Sequence, residues 1–447
     1  MRTAMSNLSA NLLNDSMSFN SDLLKRIWFV LIVLVIYRIG TYIPLPGINM
    51  LALDEVAKAQ AGGILGMFNT FTGGALGRMS IFTLNIMPYI TASIIMQLMT
   101  VISKEIANLK KEGGEAGRKK INQITRYLTV MLAVVQGYGI AVGIEGMSSS
   151  YGGVVLNPGF VFRLVSVLSL VGGTVFVMWL SEQISTQGIG NGSSLIIFTG
   201  IVSGLPSGIA LLFEMGRTGS LSTLFIILVA VAVLAMTYFV VFMEKAQRRV
   251  LVQYPKRQVG NKIFGGEANH LPLKINTSGV IPPIFASALL LFPATIMGFS
   301  QNLEASYWQQ IVSSYLSHGK PLYIFLYFLL ICFFSFFYTS VIFNPDETAD
   351  NLRKHGGVVL GRRPGKHTSE YLDYILTRIT VIGAAYISII CIVPEIAIQE
   401  YSLPFYLGGT SLLIVVNVVI DMFAQVQTHL LSGRYENLFR KARGKKR

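Results

Sequence analysis

Side chains that carry chemistry are scarce in this chain, and each scarcity removes a class of function. There are two cysteines, Cys332 and Cys391, in separate apolar blocks. They read as buried thiols and supply neither a disulfide framework nor a zinc cluster. The five histidines (His270, His318, His355, His367, His429) lie in loops or near block ends, with no H-E-x-x-H spacing and no cysteine partners, so no metal site is expected. No G-x-x-x-x-G-K-[ST] loop occurs, which argues against nucleotide hydrolysis by this chain. Its nearest glycine-rich stretch, Gly188-Ile-Gly-Asn-Gly192, lacks G-x-G-x-x-G spacing and joins two apolar blocks, so it does not read as a dinucleotide site. The first two dozen residues are polar and mixed, without the basic, apolar and small-residue succession of a cleaved signal peptide.

Charge is also sparse. Hydrophobic residues make up 52% of the chain and charged residues 13%, a balance that a soluble core of 447 residues cannot hide. Ten apolar runs, at 24–43, 80–102, 124–144, 161–181, 195–213, 221–243, 275–298, 321–343, 375–394 and 402–424, are long enough to cross a hydrocarbon layer of about 30 Å. The expected fold is an all-α polytopic membrane protein of ten transmembrane helices.

Basic residues are distributed with a side preference. Thirty of the 36 Lys and Arg fall in five segments on one side of the blocks: 3 in the N-terminal arm, 7 between Lys104 and Arg126, 7 between Lys245 and Lys274, 6 between Arg353 and Arg378, and 7 from Arg434 onward. That side is cytoplasmic by the positive-inside rule, and both termini lie on it. The opposite loops hold Asp54, Glu55, Glu145, Glu214, Glu304, Glu395 and Glu400. Only the short 182–194 turn, with Glu182, is a cytoplasmic loop that adds no basic residue.

Within the blocks ionisable groups are nearly absent. Arg38, Arg163 and Asp421 lie near block ends, where their side chains are expected to snorkel. A passage lined by Ile, Gly, Ser, Thr and Asn would hold no ion tightly, unlike the charged midplane of most ion-coupled transporters. Pro88 interrupts the second block, and Pro282 and Pro283 the seventh. Matched interruptions five blocks apart are what a five-plus-five repeat leaves in a sequence. The stretch Ala61 to Gly74 is apolar, too short to span, and flanked by glycines, and reads as a segment dipping back into the membrane from the non-cytoplasmic side.

The residues themselves resemble a known family. Pro44-Leu-Pro-Gly-Ile48, Gly73-Gly-Ala-Leu76, Ile86-Met-Pro-Tyr-Ile90-Thr-Ala-Ser93, Lys110-Lys-Glu-Gly113, Gly188-Ile-Gly-Asn-Gly192, Gln247-Arg-Arg249, His270-Leu-Pro-Leu-Lys274, Gly279-Val-Ile-Pro282, Phe343-Asn-Pro345, Glu347-Thr-Ala-Asp-Asn-Leu352, Arg363-Pro-Gly365 and Gly408-Gly-Thr-Ser-Leu-Leu-Ile414 run in order at matching spacing. They are similar to the SecY/Sec61-alpha family of protein-export channels. Residues 1–20 and those beyond about 430 match poorly.

The resemblance implies two pseudo-symmetric five-helix halves, 24–213 and 214–424, around a central hourglass pore, with a cytoplasmic arm at 1–23 and a basic tail at 425–447. It implies a pore ring at Ile86, Ile90, Ser193, Ile197, Ile284 and Ile414. Ser193 departs from the frequent aliphatic residue and predicts a wetter or wider constriction there. The segment 62–72 corresponds to the plug, with Ile64, Leu65, Gly66, Met67, Phe68 and Asn69. A gate opening sideways to lipid falls between blocks 2 and 7, at Pro88, Thr91, Pro282 and Pro283.

Cytoplasmic loops 244–274 and 344–378 correspond to partner-docking loops, with Arg248, Arg249, Lys256, Arg257 and Arg363 as contacts. Asn261 and Lys262 stand where the family often has two arginines, which predicts a weaker or rearranged ribosome contact at that tip. The implied partners are the small membrane subunits SecE and SecG, the motor ATPase SecA, the ribosome, secretory and membrane polypeptides as substrate, and anionic lipids; one copy or a homodimer stays open. The implied location is the cytoplasmic membrane of a bacterium. The channel is passive, needs no cofactor, and is not an enzyme. A small-solute transporter would need a polar midplane site, and a membrane-embedded enzyme an Asp, His or Ser constellation, and neither is evident in the sequence.

Overall fold

The computed structural model describes residues 22–59, 69, 72–111, 114–149, 152–219, 222–254, 257–259, 262–264, 268–298, 320–401 and 408–444. The described chain is mostly helical. Seven of its helices, counting the stretch Pro321–Lys354 as one, are long and apolar enough to cross a membrane, and the stretches Met87–Ile102 and Ile281–Leu290 are shorter apolar helices. A further helix, α1 (22–40), carries Lys25, Arg26 and Arg38, and among the smaller elements are helix α4 (Lys104–Lys111) and the antiparallel strands β1 (Ser148–Ser149) and β2 (Gly152–Gly153). The chain divides into two compact units, one of residues up to Ile90, 128–206 and from Ile414 on, the other of 91–127 and 207–413. These units interleave along the chain, whereas the halves read from the sequence are continuous.

The first unit is built on α1, α2 (Met50–Ala59), and most of α5 (Gly114–Glu145), α6 (Phe160–Gln187) and α7 (Gly192–Arg217). Helix α5 starts ten residues before the block at 124–144, because its first turns carry Glu115, Arg118, Lys119 and Lys120 and need no hydrocarbon. Leu45, Leu53, Leu84, Ile144, Val154, Phe162 and Leu170 form one apolar core. Tyr37 stacks on Phe82 at 6.0 Å, and Phe82 on Phe176 at 6.0 Å. Helix α7 starts against α6, since a Cβ on Gly192 would collide with the Ser181 carbonyl.

Arg163, near a block end, pairs with a carboxylate. Its Nε donates to Glu145 Oε2 at 2.6 Å, while Glu145 Oε1 accepts the Gly159 backbone N–H at 2.8 Å. One carboxylate, 8% exposed, thus ties the end of α5 to the start of α6. Arg38 turns to protein groups as well.

In the second unit, α8 (Thr223–Lys245) leaves Leu224, Ile227, Leu228, Val231, Leu234, Tyr238 and Phe242 exposed. That surface suits lipid and not water. After α8 the chain forms strand β3 (Gln247–Gln253), which pairs antiparallel with β6 (Ala268–Lys274) from Gln247↔Lys274 to Gln253↔Ala268. Between them, β4 (Arg257–Val259) and β5 (Lys262–Phe264) pair antiparallel. A third strand joins β3 from far along the chain: β7 (Val358–Val359), through Val252↔Val359 and Gln253↔Val358. The two cytoplasmic loops read separately from the sequence therefore share one sheet. Val250, Val252, Leu273 and Val359 bury its inner face against Leu372, Ile375 and Ile379 of α12 (Lys366–Tyr401).

Helix α9 (Ile281–Gly298) packs on α10 (Pro321–Ile342) through Phe285, whose ring meets Phe334 edge-on at 5.5 Å. Helix α11 (Pro345–Lys354) is capped by Asn344, whose Oδ1 accepts from the Asp346 and Glu347 N–H groups. Glu395 and Glu400, read as outer-loop residues, lie within α12, and Glu395 is buried.

Two blocks differ from their sequence reading. Helix α3 (Met87–Ile102) begins seven residues into the block at 80–102, and α9 six residues into the block at 275–298. Pro88 is the second residue of α3, and Pro282 and Pro283 are the second and third of α9. The prolines do not kink helices; they start them, where a missing N–H leaves nothing unbonded. Ahead of them the chain turns through left-handed positions at Met79, Asn85 and Gly279.

Glu145→Ala should lower the stability of the folded protein by about 2 kcal/mol through loss of two charge-assisted hydrogen bonds, seen as a lower thermal midpoint of the purified protein. Glu145→Gln, which keeps an acceptor for Gly159, should lose less.

Candidate functional site

Several candidate side chains lie at turns that precede helices. At the start of α7, Asn191 Oδ1 accepts the Ser193 backbone N–H at 3.1 Å and the Ser193 hydroxyl at 2.8 Å. The Asn191 carbonyl accepts the Leu195 N–H at 3.0 Å. Asn191 thereby caps the helix, and the hydroxyl expected to wet a constriction is engaged by its own cap. Gly190, at φ 94°, enters this turn, and its N–H donates to Gln425 at 2.7 Å.

Ile86, Ile197 and Ile414 are buried, and Ile90, Ser193 and Ile284 half-buried. Five of the six belong to the first unit, while Ile284 belongs to the second, as do Thr91, Pro282 and Pro283; Pro88 falls in the first.

The turn before α9 is organised by Asn276. Its Oδ1 accepts the Gly279 N–H at 3.0 Å and the Ser278 hydroxyl at 3.2 Å, and its Nδ2 donates to Gly279 O at 3.2 Å and to Glu244 Oε1 at 2.6 Å. Glu244 is 6% exposed at the end of α8. The Ile275 N–H donates to Ala246 O at 3.1 Å. The base of the β3–β6 hairpin and the start of α9 are thus held by one buried polar cluster. Neither Glu244 nor Asn276 drew notice in the sequence; a glutamate at the end of an apolar block, 32 residues before an asparagine in an N-x-x-G turn, is the signal.

Of the plug positions, Ile64, Leu65, Gly66, Met67 and Phe68 lie outside the described residues, and Asn69 within them. Asn69 closes the turn that follows: its carbonyl accepts the Gly74 N–H at 2.7 Å and the Thr72 hydroxyl at 3.2 Å, and its Oδ1 the Gly77 N–H at 2.7 Å. Arg38 Nη1, from the last turn of α1, donates to Gly73 O at 2.5 Å.

Of the candidate docking residues, Arg248 and Arg249 open β3 opposite Leu273 and Pro272 and are exposed. Arg363 is exposed four residues after β7, beside Arg362, whose guanidinium lies 5.1 Å over the Tyr371 ring. Arg257 belongs to β4, and Lys256 lies outside the described residues. The sheet contains Arg248 and Arg249, while Arg363 follows its edge strand β7 by four residues. Among the described residues no three His, Cys, Asp or Glu side chains group to hold a metal ion.

A model of the SecY family matches residues 80–423. The chain is 58% identical over 428 residues to the protein translocase subunit SecY of Rickettsia typhi, covering 96% of this chain and 98% of that relative. Two solved structures share the fold. One is a SecY whose plug domain is described as stabilising the closed translocation channel and maintaining a membrane seal, with TM-score 0.59, 19% identity, and coverage of 91% of this chain and 92% of that one. The other is Sec61 in the canine ribosome-channel complex from the endoplasmic reticulum, with TM-score 0.62, 18% identity, and coverage of 91% and 93%. Matched over nearly the full length of a relative at more than half identity, the chain belongs to the SecY family.

Proposed function

We propose that this chain is the pore-forming subunit of a bacterial protein translocase, resident in the cytoplasmic membrane with both termini inside. The observation that carries this reading is the match of nearly the whole chain to a translocase subunit at 58% identity. The pore is a passive conduit of ten membrane helices in two five-helix halves. Ile86, Ile90, Ser193, Ile197, Ile284 and Ile414 line its constriction. Branched apolar side chains meeting around a narrow passage offer ions and water no partner, so an empty constriction dewets, while a polypeptide in transit fills it.

Sorting follows from partition. A segment of about 20 apolar residues gains about 0.3 to 0.6 kcal/mol per Leu, Ile, Phe or Val on reaching lipid, and a polar segment gains nothing and continues across. Release occurs at Pro88, Thr91, Pro282 and Pro283. The turn held by Asn276 supports this role, since helix α9 starts from a hydrogen-bonded turn and not from continuous helix, so it can tilt without breaking its own backbone ladder.

The driving force comes from partners. The exposed Arg248 and Arg249 of β3 and Arg363 after β7 suit the phosphates of ribosomal RNA and the acidic surface of a motor ATPase such as SecA. SecE and SecG complete the membrane assembly, and the basic loops also attract anionic lipid.

Two outcomes test the reading. Replacing Arg248, Arg249 and Arg363 with Glu should weaken ribosome binding at least tenfold at low salt and flatten its salt dependence by about one contact per arginine, as read by sedimentation of ribosomes with the reconstituted complex; unchanged binding would remove these residues from the docking surface. Deleting residues 62–72 should raise the ion conductance of the idle channel in planar bilayers, and unchanged conductance would remove the segment's role as a seal.

A further inference from the structure

The two arginines that follow β7 are exposed neighbours held in different ways. The Arg362 guanidinium lies over the Tyr371 ring, 5.1 Å from its centroid, and the Arg362 backbone N–H donates to Val359 O at 3.1 Å. Among the described residues the Arg363 guanidinium has no hydrogen bond, ion pair or ring contact. The Arg363 backbone, by contrast, is fixed. Pro364 restricts the residue before it to extended conformations, and Gly365 turns the chain at φ +102°, a setting that suits glycine alone. The Gly365 carbonyl accepts the Thr368 N–H at 3.0 Å and the Ser369 N–H at 3.1 Å, which starts α12. The Thr368 hydroxyl then reaches back to Arg363 O at 2.8 Å and closes the turn, and Thr368 is 2% exposed. Ser369, buried beside it, donates its hydroxyl to the Asp346 carboxylate in the first turn of α11. Arg363 therefore leaves a backbone tied to β7, α11 and α12, with its own planar fork unoccupied.

We propose that Thr368 is a positioning residue for docking: its buried hydroxyl, bonded to the Arg363 carbonyl, sets the direction in which Arg363 leaves the turn and so the strength of the contact that Arg363 makes with a phosphate of ribosomal RNA. This rests on the reading of Arg363 as a ribosome contact. A guanidinium grips a phosphate through two parallel N–H groups, so its affinity depends on the angle of approach as well as on charge. A turn that already holds the Arg363 backbone removes part of the ordering cost of that grip. Without the hydroxyl, the carbonyl swings free, the arginine samples more directions, and the same charge binds more weakly.

The test measures ribosome affinity of the full-length protein in its reconstituted complex, by sedimentation at one low salt concentration, for the parent, Arg363→Ala, Thr368→Val, Thr368→Ser, and Arg363→Ala combined with Thr368→Val. Arg363→Ala should weaken binding about tenfold, the weight of one charge-assisted contact, and Thr368→Val about fivefold, the weight of one neutral hydrogen bond. Thr368→Ser, which keeps the hydroxyl, should bind as the parent does, and Thr368→Val should cost nothing further once Arg363 is gone. Parent-like binding by Arg363→Ala overturns the docking reading and the positioning role with it. Weak binding by Arg363→Ala beside parent-like binding by Thr368→Val overturns the positioning role alone. An equal loss from Thr368→Val with and without Arg363 also overturns it, because the hydroxyl would then support the fold at large and the contacts of Arg248 and Arg249 with it. So does a Thr368→Ser variant as weak as Thr368→Val. Should Thr368→Val fail to fold, Gly365→Ala replaces it with the same expectations: it strains the same turn through the backbone, where a Cβ would meet only Arg353 Nη1, at 3.8 Å.

Discussion

In hydrocarbon a backbone N–H or C=O without a partner costs several kcal/mol, and the described fold is arranged around that cost. Helices satisfy it along most of each apolar block. Where the backbone turns within or between the blocks, side chains take over: Asn69 and Thr72 around the turn to Gly77, Ser80 and Thr83 before α3, Asn191 before α7, and Asn276 before α9. These small polar residues look incidental in an apolar sequence, but Ser80, Thr83 and Asn276 hold the turns after which α3 and α9 begin within their blocks. The functional reading depends on such starts, since a helix beginning at a hydrogen-bonded turn can change direction there.

The same turns connect the apolar helices of the second unit to its β-sheet. Strands β3 and β6 leave and re-enter the membrane region beside Glu244 and Asn276, and the buried bond between those two side chains lies at the foot of the sheet that carries Arg248 and Arg249. Because β7 adds to the edge of β3, residues from 344–378 share that sheet and its apolar contact with α12. A load applied to the exposed arginines meets a continuous sheet, and not two independent loops.

Much of this was legible in the sequence, for physical reasons. Long apolar blocks with charged ends define helices, and positions such as α6, α8 and α10 fall close to where hydropathy puts them. Hydropathy cannot distinguish an apolar turn from an apolar helix, so α3 and α9 start later than their blocks. Nor can it see pairing: β3 reads as part of a basic loop because Gln247, Arg248 and Arg249 precede its Val250-Leu-Val252 core. The partners of Arg38 and Arg163, the Gly73 carbonyl and Glu145, were not legible because they are 35 and 18 residues away along the chain. Glu395 looked like a loop residue because the apolar run ends at Pro394, although α12 continues through that proline to Tyr401.

The central claim is that a polypeptide passes the isoleucine positions. A photo-crosslinkable residue placed in turn at Ile86, Ile284 and Ile414, with the protein engaged by a stalled, signal-bearing secretory chain, tests it directly. The account predicts adducts from all three positions that disappear when the signal is made polar; a folded, membrane-inserted protein that engages the stalled chain yet forms no adduct at any of them would contradict it.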